Sequence, residues 1–247
     1  MSIPKEPRQK MINMMYLVLT ALLALNVSSE ILNAFRTVNN SLLNSNAVID
    51  AKDKVVFASF KEMLTKEDKK EKAAIWFPKA DKASQIAGVI TSYLEGLKTD
   101  LKKESGLEIV DGEEKYKEDN LDAATRLFVD PGKAKGEEIK KKLQDFKDQL
   151  FAIDPAIAKE FNTSLPLDLS VPKSRNKAVG NDDWAYSYFH MTPTIAAVTI
   201  LSKFQNDIKN SESKVVEFCH NQVGAVEQIF DTYAQQHQLD CDKILQL

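Results

Sequence analysis

The sequence predicts an all-α protein. One N-terminal transmembrane helix continues into an elongated helical bundle on the far side of the membrane. Three observations predict it. In 247 residues there are only 8 glycines and 8 prolines, while Ala, Leu, Lys and Glu are abundant, which is the composition of long helices. Neither Gly nor Pro occurs between Pro7 and Pro78, and apolar residues there recur mostly three, four or seven apart. Residues 11–27 carry no formal charge and have polar flanks.

A spanning helix needs about 20 apolar residues, about 17 at the short end, and residues 11–27 sit at that limit. Asn13, Tyr16, Thr20 and Asn26 interrupt the run. Buried polar groups need partners, so the segment reads as a membrane helix built to meet other helices. A cleavable signal peptide is the rival reading. Lys5, Arg8 and Lys10 make a basic start, and Val27-Ser28-Ser29 makes a passable cleavage site. The interrupted core, and a helical pattern that runs on past residue 27, favour a retained anchor. The early cations, opposed only by Glu6, place residues 1–10 in the cytoplasm by the positive-inside rule. The remainder lies outside, in the periplasm of a Gram-negative cell. The expected division is a cytoplasmic tail (1–10), a membrane helix (11–27), a periplasmic bundle (28–235) and a tail of non-native character (236–247).

The elements follow in order. Ile31, Leu32, Phe35, Val38, Leu42, Ile49, Val56, Phe60, Met63 and Leu64 extend the first helix to about residue 64. Asn is frequent here (Asn33, Asn39, Asn40, Asn44, Asn46) and is a poor helix former, so this stretch depends on packing. A charged connection covers 65–72, and Trp76-Phe77-Pro78 predicts a break or kink. A second helix runs over 79–105, with Gly106 as its stop signal. Ile109-Val110-Asp111-Gly112 predicts a short extended piece, and 121–128 a short helix ended by Asp130-Pro131-Gly132. An amphipathic helix follows over 136–153, and Asp154-Pro155 opens another. Residues 162–182 read as a loop. Trp184, Tyr186, Tyr188 and Phe189 form an aromatic helix that plugs the core. Thr192-Pro193 then starts a helix of about 40 residues, ~60 Å long at 1.5 Å per residue. Two very long helices among four or so imply an up-and-down bundle.

No catalytic constellation appears. His190, His220 and His237 lack ligand spacing, so no metal is expected. No phosphate loop or nucleophile elbow is present, and no cofactor is implied. His190 reads as a packing or capping residue. Cys219 and Cys241 make no disulfide framework. A net charge of −3 leaves no basic face for nucleic acid. The candidate site is therefore the anchor. At about 100° per residue, Asn13, Tyr16, Thr20 and Ala24 fall within one stripe of about 80°, with Arg8 and Asn26 on its flank. Thr20 and Ala24 form a small-xxx-small pair that lets two helices approach closely. Arg8 sits one turn before the apolar run, where a charge is costly unless paired.

These residues also carry a resemblance. Pro7-Arg-Gln-Lys-Met-Ile-Asn-Met-Met-Tyr-Leu-Val18, Ala24-Leu-Asn-Val-Ser28, Asn181-Asp-Asp-Trp184, Phe189-His-Met-Thr-Pro-Thr194, Leu201-Ser-Lys-Phe-Gln-Asn206 and Cys219-His-Asn-Gln-Val-Gly-Ala225 resemble the GldM (PorM) family. That family supplies the inner-membrane motor and stalk of type IX secretion and gliding machinery. The resemblance implies a retained membrane helix and a homodimer. It implies that the paired helices pass through a ring of GldL-like (PorL-like) multi-span partners, and that the whole is driven by the proton-motive force. It implies that Arg8 meets an acidic residue inside the partner's membrane helices; Tyr16, about two turns deeper on a neighbouring face, can present its hydroxyl to the same partner, and Asn13 needs a partner in hydrocarbon. Family members continue into β-rich periplasmic domains that reach the outer-membrane part of the machine, and this chain ends before them.

An extracytoplasmic sensor or interaction module on one membrane helix is the second reading. Against it stand a cytoplasmic tail too short for an output domain and the lack of a second membrane pass. An enzyme is a distant third.

Overall fold

Long stretches without helix breakers become long helices. The computed structural model describes residues 7–25, 29–171 and 183–224. Helix α1 spans Pro7–Leu25, α2 Ser29–Met63 and α3 Lys70–Glu104. An antiparallel hairpin follows, β1 (Glu108–Val110) paired with β2 (Glu113–Lys115). Helix α4 (Asp122–Ala124) widens into a π turn over Thr125–Val129, where the Asp130 N–H donates to the Thr125 carbonyl. Then come α5 (Lys135–Phe151), α6 (Pro155–Phe161), α7 (Trp184–Phe189) and α8 (Thr194–Asn221). The described residues are mostly helical, with that one hairpin as the exception among them. The hairpin turns on Asp111 (φ 57°) and Gly112 (φ 82°), the Asp-Gly pair that a two-residue turn with positive φ requires.

Helix α8 lies between α2 and α3 and makes the most extensive contacts in the molecule with both. The hydroxyl of Ser105, the C-cap of α3, meets that of Thr194 at 2.5 Å, while Trp76 packs on Phe218 with ring centres 5.9 Å apart. So α3 runs antiparallel to α8. The Thr199 hydroxyl reaches the Phe35 carbonyl at 3.2 Å and His220 reaches Ser59 at 2.9 Å, so α2 runs parallel to α8.

Each interface repeats every seven residues. On α3 the inward positions are Ala73, Trp76, Ala80, Ala83, Ala87, Ile90, Leu94, Leu97 and Leu101, alternating steps of three and four. They face the apolar side of α8, built from Ala197, Leu201, Phe204, Ile208, Val215 and Cys219, all 0% exposed. Burial pushes the Cys219 thiol up to about 12, which suits a packing role. On α2 the inward positions are Leu32, Phe35, Asn39, Leu42, Asn46, Ile49, Asp53, Val56, Phe60 and Met63, in the same three-four rhythm. Three in this row are polar, and α8 answers each. Ser202 donates to the Asn39 side chain at 2.6 Å, Asn206 to Asn46 at 2.8 Å and Ser213 to Asp53 at 2.7 Å. The α2–α8 seam is a parallel, coiled-coil-like contact with a ladder of side-chain hydrogen bonds along it.

Three expectations are corrected. Pro78 does not break a helix: α3 starts at Lys70 and runs through it. Pro78 and Ala74 lie on the exposed face, so the Ala74 carbonyl that loses its N–H partner opens to water. Trp76 and Phe77 hold the flanks, Phe77 against Phe57 and Phe60 at 6.2 and 5.8 Å. Helix α8 is 28 residues long, not about 40. It ends at Asn221, and Gly224 at φ 87° closes it, its N–H donating to the Asn221 carbonyl. Thr192 does not cap α8; its hydroxyl donates back to the Tyr188 carbonyl at 3.0 Å. The first N–H groups of α8 are taken instead by loop carbonyls, Thr194 by Asn120 at 3.1 Å and Ile195 by Glu118 at 3.2 Å. Finally, residues 26–28 lie outside the described residues, so continuity of the first helix into α2 is not among the structural findings.

The aromatic helix α7 is a core plug. Trp184 is 0% exposed and stacks on Phe204 at 5.5 Å, and Phe189 meets Phe128 at 4.2 Å. Helix α5 closes over this cluster. A Cβ at Gly136 would fall 2.4 Å from the Ala185 Cβ and 2.7 Å from the Phe128 carbonyl oxygen. Gly136→Ala is therefore expected to lower the thermal midpoint, at a cost of about 1–3 kcal/mol from overpacking. The two faces of α8 separate by truncation. Leu201→Ala on the apolar side should cost about 2–5 kcal/mol. Ser202→Ala on the ladder should cost about 0.5–1.5 kcal/mol. Denaturant unfolding monitored by circular dichroism measures both.

Candidate functional site: the uncovered N-terminal helix

Helix α1 begins at Pro7, a residue suited to the first helical position because its missing N–H has no partner there. Every described side chain from 8 to 20 is exposed, so no part of the described chain covers it. The apolar ones are large: Met11 is 67% exposed, Met15 71% and Leu17 69%. Met11, Met14, Met15, Val18 and Leu19 form a continuous apolar face. At about 100° per residue, Asn13, Tyr16 and Thr20 lie on the opposite face of the helix.

Three of the sequence-derived site residues thus share a face. Arg8 does not join them, lying beneath the apolar side, about 80° around the helix from Tyr16 and two turns before it. A single partner helix can still touch both. The Thr20 hydroxyl donates to the Tyr16 carbonyl at 2.8 Å and approaches that of Leu17 at 3.1 Å. It carries its own acceptor with it, so it can enter apolar surroundings without leaving a donor unpaired. Ala24 lies within α1, but its side chain falls outside the described residues, as does Asn26.

No helix among the described residues is long and apolar enough to cross a membrane. The reason is arithmetic. The uncharged part of α1 runs only from 11 to 25, ~22 Å at 1.5 Å per residue against a hydrocarbon core of ~30 Å. The last two residues of the expected span lie beyond the described part of the helix.

Elsewhere the charges serve packing. Arg36 of α2 grips Glu118 through two bonds, Nε at 3.2 Å and Nη2 at 2.6 Å, and also holds Asn33 at 2.7 Å. The same Glu118 backbone caps α8, so this loop ties α2 to α8 where both begin. Asp154 caps α6 through the Ala156 N–H at 2.7 Å and pairs with Lys79 at 2.6 Å; these bonds hold its carboxyl below the usual range. His190 stacks on Tyr186 at 3.9 Å, and His220 lies against Phe60 at 5.0 Å. Among the described residues no three His, Cys, Asp or Glu side chains are grouped to hold a metal ion. Sequence reasoning missed the ladder partners Asp53, Ser202, Asn206 and Ser213. The signal was available, since Asn39, Asn46 and Asp53 are spaced by seven in phase with the apolar row.

No curated protein matches the chain. A family model described as the GldM N-terminal domain matches residues 30–221, well over half of the chain. The chain belongs to the GldM family, whose members are components of the gliding-motility and type IX secretion machinery.

Proposed function

We propose that this chain is the shaft of an inner-membrane motor powered by the proton-motive force. In this reading residues 1–10 are cytoplasmic, 11–27 span the membrane, 28–235 form a periplasmic domain and 236–247 are a tail. Two copies pair through the Thr20–Ala24 side of α1 and sit inside a ring of GldL-like multi-span subunits. Motion passes from the membrane helix into the bundle and on to the outer-membrane secretion ring.

The observation that carries the proposal is the uncovered α1. A helix with large apolar side chains more than half exposed, and with a polar stripe opposite them, needs two environments. Lipid or apolar partner helices suit the Met11–Met15 side, and a polar contact suits Asn13 and Tyr16. Membership in a family of gliding and secretion components supports the choice of GldL-type partners.

The coupling step rests on Arg8. Its guanidinium lies at the rim of the apolar run, where it pairs with a carboxylate of the surrounding ring. A proton crossing the full potential releases ~2.3 kcal/mol per 100 mV. Protonating that carboxylate breaks the ion pair, and a neighbouring ring member then offers the better contact. Arg8→Ala is expected to leave the complex assembled while abolishing secretion and gliding in cells. Arg8→Lys keeps the charge but loses the two-pronged fit, so it should impair both activities, whereas a pure topology role would tolerate it fully. Normal gliding by Arg8→Ala cells would refute the coupling role.

The paired arrangement has its own test. Cysteine introduced at Thr20 or Ala24 should cross-link between protomers in membranes more readily than cysteine at Leu19 or Leu22. Equal cross-linking at all four positions would speak against close packing on that side.

A further inference from the structure

We propose that the α2–α8 seam is a proton-dependent clamp: Asp53 and Glu212, buried where α2, α3 and α8 meet, take up a proton when α2 docks and release it when α2 lifts away. The inference does not depend on the motor reading.

Its basis is a shortage of cations at a buried helix interface. Asp53 is 6% exposed and Glu212 is 9% exposed. Ser213 donates to Asp53 at 2.7 Å, and Glu212 is the preceding residue on the same helix. From α3, the Ser84 hydroxyl faces Glu212. Asp50 of α2 and Glu217 of α8 stand close by. Lys209 and Lys52 are the ammonium groups in reach, and both are engaged: Lys209 bonds Asp50, and Lys52 pairs with Glu217 at 2.5 Å. Asp53 and Glu212 are left with hydroxyl donors, which do not neutralise charge. Two ionised carboxylates buried in this way repel each other and lack hydration. When α2 lifts off, water reaches both and they ionise freely. The seam suits such regulation because polar groups interrupt its apolar row at Asn39, Asn46 and Asp53.

The titration tendencies agree. Burial raises Asp53, against the pull of Ser213 and Lys52, with Glu217 and Asp50 raising it further. Burial pushes Glu212 up to about 7, with Asp53 and Asp50 adding to the rise and Ser84 and Lys209 opposing it. An acid raised in the docked state binds more protons there than when released. Docking therefore strengthens as pH falls from about 8 toward the ordinary carboxylate range. His220, further along the same seam, acts the other way. Burial lowers its pKa, so its contribution is lost as pH falls below its ordinary value. Comparison of wild type with a Glu212 variant removes that background.

Amide hydrogen exchange on the whole chain in detergent, corrected for the intrinsic pH dependence of exchange, reads the clamp directly. Between pH 8 and pH 5.5, protection of α2 residues 46–60 should rise roughly tenfold or more, while α5 serves as an unchanged reference. Glu212→Gln is neutral at every pH, so its α2 protection should exceed the wild-type level at pH 8 and keep only the smaller pH dependence that Asp53 and His220 contribute. Asp53→Asn should flatten the profile in the same direction. Equal wild-type protection at the two pH values overturns the proposal, and that arm decides it even if neither variant folds. A Glu212→Gln protein that keeps the full wild-type pH dependence overturns it as well.

Discussion

Helix α8 has to satisfy two neighbours at once, and the rest of the bundle follows from how it does so. Its apolar face locks onto α3, where Ala73, Ala80, Ala83 and Ala87 keep the axes close and Ile90, Leu94, Leu97 and Leu101 fill the other half. Its opposite face carries serine, threonine and asparagine toward α2. The first interface stabilises chiefly through buried apolar area, worth about 25 cal/mol per Å². The second adds selection. A polar group at a heptad core position specifies register at some cost in stability. Shifting α2 by one residue along α8 would leave Asn39, Asn46 and Asp53 without partners, each a buried or half-buried polar group with a desolvation penalty.

Most of this was legible in the sequence, and the failures have specific causes. Helix periods, the Gly106 stop, the Asp154 cap and the aromatic plug at Trp184 all rest on local chemistry and survive in the structure. Pro78 misled because its effect depends on which face it occupies, and sequence alone does not say that Ala74 is exposed. The end of α8 misled because one glycine inside a periodic run is ambiguous: Gly224 reads as a tolerated interruption or as a terminator. The ladder was missed because a search for apolar periodicity skips polar residues in the same row. Asparagine at 39 and 46 reads from sequence as a poor helix former, and its purpose becomes visible only when α8 supplies Ser202 and Asn206 opposite.

The candidate site was legible in a different way. The described side chains of α1 are all exposed, so the structure adds geometry and leaves partner identity to chemistry. It brings Asn13, Tyr16 and Thr20 together, sets Arg8 apart from them, and shows the Thr20 hydroxyl closed on its own backbone. The closure favours helix packing over hydrogen bonding for Thr20, whereas Asn13 and Tyr16 keep groups to offer a partner. The helix thus separates a surface that accepts apolar neighbours from one that selects for polar ones.

The parallel pairing of α2 with α8 has a consequence for biosynthesis. Asn46 and its partner Asn206 are 160 residues apart in the chain. At a synthesis rate of ~5–20 residues per second, α2 waits about ten to thirty seconds before α8 exists. Such high contact order slows folding and leaves the early segment unpaired meanwhile. A waiting helix with a fully apolar seam would be an aggregation hazard. One whose seam is interrupted every second turn by Asn39, Asn46 and Asp53 stays hydrated until its partner emerges. The ladder that fixes the finished bundle thus also protects the unfinished one.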